Sequence, residues 1–124
     1  KKYEHSSLTI DKSDSHLQNL ITLMSEKKPY LENELTLAKL AEMLSVPQHH
    51  LSQILNEKLN QNFFDFVNNY RIQEAKKLLV SPDGGLLTIL AIAEEVGFNS
   101  KSAFNNAFKK VTNTTPSEFR KNNS

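Results

Sequence analysis

The chain has no cysteine, which excludes disulfides, thiolate metal sites and cysteine nucleophiles together and suits a reducing, cytoplasmic setting. It has no apolar run of the length a membrane span needs, so no membrane contact is expected from this segment. No secretory leader is expected either. The chain opens Lys1-Lys2-Tyr3-Glu4 without a methionine, the start expected of a fragment or of a trimmed chain. No glycine-rich phosphate loop or paired-carboxylate site is present, and serines, histidines and acids are scattered. No enzyme and no cofactor are therefore expected. Charge of one sign is scarce as well, because 15 Lys and Arg face 14 Asp and Glu for a formal net charge of +1. For a basic-surface argument, distribution must then outweigh total.

What the chain does have is a repeat. The 124 residues, 38% of them hydrophobic, are one ordinary domain's worth of material, but the pattern occurs twice. Thr36-Leu37 recurs about 52 residues on as Thr88-Ile89, Leu40-Ala41 as Ile92-Ala93, Leu44 as Val96, Ser45 as Gly97 and Val46 as Phe98. With one residue added in the turn, Leu51 matches Phe104, Leu55 matches Phe108, Asn60 matches Asn113 and Asn62 matches Thr115. Each copy reads as a short helix with a small buried Ala, a tight turn and a second helix with apolar positions four apart. That is the layout of a helix-turn-helix. A core divided between two such lobes leaves each marginal alone, so a shared joining element is expected.

Along the chain, residues 1–14 are polar and read as a linker or frayed arm ahead of a folded domain over 15–124. Leu17, Leu20, Ile21 and Met24 predict an amphipathic helix ending near Lys27-Lys28-Pro29. Thr36 is an N-cap for a helix carrying Leu37, Leu40, Ala41 and Leu44, and after Ser45-Val46-Pro47 a second helix buries Leu51, Ile54 and Leu55. This first helix-turn-helix occupies about 36–57. Gln48, His49, Ser52, Gln53 and Asn56 are expected outside. Asn62 caps a longer helix over 63–79 built on Phe63, Phe66, Val67, Tyr70, Ala75, Leu78 and Leu79, a strut of roughly 25 Å. Ser81-Pro82-Asp83-Gly84-Gly85 ends it. The second helix-turn-helix, about 88–110, starts at the cap Thr88, turns at Gly97 and continues under Asn99 or Ser100 with Ala103, Phe104, Ala107 and Phe108 inward. Asn113 suits a left-handed cap. Thr115-Pro116-Ser117-Glu118 begins a last short helix at capping-box spacing. No segment asks for a strand.

The run from Ala91-Ile-Ala-Glu-Glu-Val-Gly-Phe through Asn105-Asn-Ala-Phe-Lys-Lys to Thr115-Pro-Ser-Glu-Phe-Arg120 resembles the signature of the arabinose-operon regulator family, AraC/XylS. Tyr70-Arg71-Ile72 through Leu78-Leu79 is similar to that family's linker helix, and Leu37 to Asn60 to its first helix-turn-helix. The resemblance covers about 35–120. It implies an all-α fold of about seven helices with two helix-turn-helix subdomains, homeodomain-like, joined by a long linker helix. It further implies sequence-specific binding of double-stranded DNA by the C-terminal domain of a transcriptional regulator, both recognition helices entering successive major-groove segments. It implies, too, an N-terminal effector, dimerisation or sensory region elsewhere in the intact protein, which in some relatives tethers to a membrane.

Carried over position by position, the expected base-edge readers are His49, Ser52 and Gln53 in the first unit, with Gln48 and Asn56 peripheral. In the second unit they are Lys101, Ser102, Asn105 and Asn106. Expected phosphate contacts are the helix starts at Thr36 and Thr88, with Lys58, Lys109, Lys110 and Arg120. The chain departs from the family pattern with Ser45 and Pro47 in the first turn, Asn60 and Asn113 where Gly is usual, and Ala103 where a large aromatic is common. It also has Gln53 and Asn106 where Arg is frequent. Arg favours guanine and Gln or Asn favour adenine, so a relatively A·T-rich target is expected.

Plainer readings stand beside these. His49-His50 lacks the further ligands of a metal shell, and adjacent helix positions diverge, so no metal is expected. Arg71 reads as a structural cation, and Phe63, Phe64 and Phe66 as core. The competing function is a helical protein–protein interaction module, for which the low net charge argues.

Overall fold

The computed structural model describes residues 10–82 and 86–123, and every regular element among them is helical. Seven α-helices follow in order: α1 Ile10–Lys27, α2 Leu37–Leu44, α3 Gln48–Leu59, α4 Phe63–Val80, α5 Ile89–Glu95, α6 Lys101–Thr112 and α7 Pro116–Asn122, with a 3₁₀ turn at Pro29–Leu31. The expected all-α architecture is the one observed. The arm expected over 1–14 needs correction, since residues 1–9 lie outside the described residues and the chain is helical from Ile10 onward. Apolar period is weak there. Tertiary contacts hold this turn instead, with Ser13 only 7% exposed and Asp14 Oδ1 2.8 Å from Lys58 Nζ of α3. After α4, Ser81 and Pro82 follow as expected, while Asp83, Gly84 and Gly85 lie outside the described residues.

Two compact units divide the chain, one of residues 1–29 and 35–66, the other of 30–34 and 67–124. In the first, Leu20 and Met24 of α1, Leu40 and Ala41 of α2, Leu51, Ile54 and Leu55 of α3, and Phe66 are all buried. In the second, Ile72, Ala75 and Leu79 of α4 form one cluster with Ile92, Ala93, Val96, Phe98, Phe104 and Phe108. Its aromatic rings run in series. Phe98 meets Phe104 at 5.4 Å, Phe104 meets Phe108 at 5.7 Å and Phe108 meets Phe119 at 5.4 Å between centroids, tilted or edge-on as ring quadrupoles prefer.

The repeat in sequence is a repeat in hydrogen bonding. Thr36 Oγ1 accepts from Lys39 N at 3.1 Å, and Thr88 Oγ1 from Ala91 N at 3.0 Å, each satisfying an orphan donor at a helix start. At the other ends Val46 N donates to Ala41 O at 3.0 Å and Phe98 N to Ala93 O at 2.9 Å, the closure that satisfies the last carbonyls of a helix. Between cap and closure sit Ser45 at φ 57° and Gly97 at φ 104°. Asn60 and Asn113 end α3 and α6 in left-handed conformation at φ 53° and 65°, a region Asn enters more readily than most residues. Ser100 caps α6, accepting from Ala103 N at 3.1 Å, whereas Pro47 before α3 offers no side-chain cap. Ser100→Ala should therefore cost about 1 kcal/mol in urea unfolding. A change under a few tenths would mean the cap is redundant.

Arg71 behaves as the structural cation the sequence suggested, although its partners are carbonyls rather than a carboxylate. Its Nε donates to Tyr30 O at 2.6 Å and its Nη2 to Glu32 O at 2.9 Å, while the guanidinium carbon lies 5.6 Å from the Phe98 ring centre. Tyr30 is buried and its hydroxyl donates to Glu74 Oε1 at 3.3 Å. Burial and the neighbouring Glu74 carboxylate push that phenol up to about 12 from its ordinary 10. A phenol raised on folding stabilises fully below the unfolded value and ceases to do so as pH climbs through the folded one. Stability should thus decline between pH 10 and about 12, and Tyr30→Phe should flatten that limb of the unfolding curve.

Three apolar side chains expected inward are exposed instead. Phe64, expected in the core, is 71% exposed, because Phe63, Phe66 and Val67 take the inward face of α4 and leave the adjacent position turned away. Ala103 is exposed rather than buried. It precedes Phe104 by one residue and is rotated off the inward stripe. Ile21 of α1 is likewise 39% exposed.

Candidate nucleic-acid interface

Two helices carry the candidate surface, and each is aimed by its own unit. On α3 the inward stripe of Leu51, Ile54 and Leu55 leaves Gln48, His49 and Asn56 exposed and Ser52 and His50 half-buried. His49, Ser52 and Asn56 stand at helical spacings of three and four, so they share one face. On α6 the inward Phe104 and Phe108 leave Lys101, Ser102, Asn106, Lys109 and Lys110 exposed, with Asn105 half-buried. Ser102, Asn105 or Asn106, and Lys109 form the matching face. By the register of the repeat, His49 corresponds to Ser102, Ser52 to Asn105 and Asn56 to Lys109.

Gln53 requires a correction. Expected beside His49 and Ser52 as a reader, it is 6% exposed, and its Oε1 is buried with no hydrogen-bond partner. Its Nε2 donates to Glu57 Oε1 at 3.4 Å. Helical phase alone placed it outward; tertiary packing on that edge of α3 has covered it. The equivalent Asn106 on α6 stays open. Asn56, expected to be peripheral, is exposed like His49, and its four-residue spacing from Ser52 was the signal that puts it on their face.

The expected phosphate ligands are placed unevenly. Thr36 and Thr88 are exposed and occupied as caps. Lys109 and Lys110 are exposed in the last turn of α6. Lys58 is held by Asp14 at 2.8 Å, and the Arg120 Nε donates to Leu79 O at 3.4 Å. The rings of His49 and His50 lie 4.4 Å apart, edge to face, and no group of three or more metal-ligating side chains occurs among the described residues. Burial, then the neighbouring His49, His16 and Lys12, hold the His50 imidazole below its ordinary range. No helix of the described residues is long and apolar enough to cross a membrane.

Two capped helix pairs, each closed by a left-handed turn and each presenting hydrogen-bonding groups in equivalent register, define a tandem helix-turn-helix protein. The family model for a helix-turn-helix domain matches residues 40–122. An HTH-type transcriptional regulator of Staphylococcus aureus (strain COL) is 35% identical over 91 residues, which is 73% of this chain and 12% of that protein. Among solved structures, the C-terminal domain of AraT, a response regulator from Geobacillus stearothermophilus, is 29% identical with a TM-score of 0.71, covering 94% of this chain and 88% of that one. The C-terminal domain of the two-component response regulator yesN from Fusobacterium nucleatum is 27% identical with a TM-score of 0.72, covering 86% and 98%. The chain belongs to the AraC-type helix-turn-helix family. That family is a class of DNA-binding domain and not of enzyme. This chain spans about an eighth of the Staphylococcus relative's length.

Proposed function

We propose that this chain binds double-stranded DNA sequence-specifically, as the DNA-binding domain of a transcriptional regulator working in the cytoplasm, with α3 and α6 reading successive major-groove segments. The observation that carries the proposal is the pair of polar faces in equivalent register, His49, Ser52 and Asn56 on α3 and Ser102, Asn105, Asn106 and Lys109 on α6. Side chains of this kind hydrogen-bond base edges, whereas an interaction face for another protein is usually built around apolar and aromatic anchors. Family membership supports the same reading. The short share of the Staphylococcus relative that the chain spans supports a further regulatory region in the intact protein.

On α6, Lys101, Ser102, Asn105 and Asn106 are the readers, and Lys109 and Lys110 contact phosphate. The adenine preference now rests on Asn105 and Asn106, since Gln53 is covered. Selecting bound duplexes from a random pool tests the proposal most directly. A recovered site spanning about two turns, A·T-rich in the α6 half, is expected. Asn106→Ala should weaken binding to that site by about 10- to 100-fold and relax discrimination at one position. If roughly six phosphates are neutralised, log affinity should fall with log salt at a slope near −5. A chain showing neither sequence preference nor salt slope is an interaction module instead. Guanine-dominated α6 half-sites would overturn the base assignment alone.

A further inference from the structure

Resting on that reading, we propose that the first turns of α1 act as a latch on α3, holding Gln53 and Lys58 of the first reading helix away from DNA until the latch is released. Ser13 is 7% exposed, an unusual degree of burial for a serine so near a helix start in a polar stretch. Its neighbour Asp14 pairs with Lys58 at 2.8 Å, near the C-terminal end of α3. Near the N-terminal end of α3, His50 lies within electrostatic reach of Lys12 and His16 of the same turns of α1. Along the length of α3, Gln53 falls between His50 and Lys58 and is the buried polar residue of that helix, 6% exposed. Its Oε1 has no partner.

A buried carbonyl oxygen without a partner is costly to the fold, and a side chain with free rotation would normally turn it to water. Its position is explained if the covered state is one of two. In the released state the amide gains solvent or a base edge, for which its paired donor and acceptor suit adenine. Lys58 likewise exchanges one carboxylate for a phosphate. The ion pair itself is partly exposed, with 30% and 61% of the two side chains open to solvent, so it is weak enough to give way. The α6 reader has no counterpart of this contact: Asn106, at the position matching Gln53, is exposed. At this position the two units differ, Asn106 open on α6 and Gln53 covered on α3.

The test uses the whole chain and its selected duplex. Asp14→Asn removes the ion pair while keeping the size of the side chain, and Glu26→Gln, an exposed change at the other end of α1, controls for the altered net charge. Asp14→Asn should tighten binding by about fivefold beyond the control and strengthen footprint protection over the α3 half of the site. In the parent chain Gln53→Ala should leave discrimination in the α3 half unchanged; in the Asp14→Asn background the same substitution should reduce it about tenfold. Circular dichroism confirms that each variant folds, and Ser13→Leu, which adds bulk under the latch, provides a second means of release. If both release variants fold and neither changes α3-half protection, the latch is refuted. Binding through α6 would survive that result, because loss of affinity in Asn106→Ala is measured independently.

Discussion

Gly97→Ala is expected to destabilise the protein by at least about 3 kcal/mol, with a fall of more than about 10 °C in Tm. The residue has φ 104°, well beyond the left-handed helical region that Asn or Asp tolerate, and a side chain there is strained before any contact is considered. Contacts make it worse. A Cβ at this position would stand 2.5 Å from Tyr30 O, 2.8 Å from Arg71 Nε and 3.1 Å from Leu31 O. Two of these are backbone atoms that cannot swing aside, and the third is the guanidinium that binds Tyr30 O. Relief requires moving the 3₁₀ turn away from the α5–α6 turn, which breaks the Arg71 bond as well. Equilibrium urea unfolding checks this, and a loss below about 1 kcal/mol would show that the segment yields freely.

Arg71→Met should cost about 2 to 4 kcal/mol, even though methionine nearly preserves the packed volume of the side-chain stem. The guanidinium ties together backbone that is distant in sequence, donating to Tyr30 O at 2.6 Å and Glu32 O at 2.9 Å, with Asn68 Oδ1 at 3.3 Å. Removing it leaves the Tyr30 carbonyl, which lies in a closely packed turn, without its charged donor, and removes the cation from over Phe98. Arg71→Lys should recover less than half of the loss, because one ammonium cannot serve two carbonyls from a planar fork. Burial already lowers the guanidinium's hold on its proton, but the group stays charged at any ordinary pH. Full recovery by Lys would mean that charge alone, without the fork geometry, holds the turn.

These two residues form one device in the folded protein, and the sequence shows only half of it. Gly97 was legible as a turn, since the repeat aligns it with Ser45 and a residue with φ above zero is expected where a short helix closes. That its missing Cβ makes room for Tyr30 O was not legible, because Tyr30 stands far earlier in the chain. The place of Arg71 in mid-helix marks it as a structural cation. Its carbonyl partners, Tyr30 and Glu32, lie in and directly after a 3₁₀ turn that no periodicity announces.

The proposed recognition faces divide in the same way. His49, Lys101, Ser102 and Asn106 are open to solvent as helical phase required, since Leu51 and Leu55 or Phe104 and Phe108 dictate which side turns inward. Gln53 obeyed the same phase and was covered nonetheless. Phase describes a helix against one core; it is silent about whatever else covers the polar edge. Phe64 errs in the opposite sense, an apolar residue whose neighbours on α4 filled the interior first.

By itself the amino-acid order determined what local chemistry controls: where helices start at Thr36, Thr88 and Thr115, where they close at Asn60, Gly97 and Asn113, and that the plan is duplicated. Caps, turns and apolar spacing act over a few residues, so they are written in a few residues. Only the tertiary structure decided that Arg71 joins Tyr30 beside Gly97, that α1 begins at Ile10 and pairs with Lys58, and that Gln53 is out of sight. Each depends on which distant groups must share a buried volume or satisfy each other's polar atoms, and neither constraint is visible until the chain has folded.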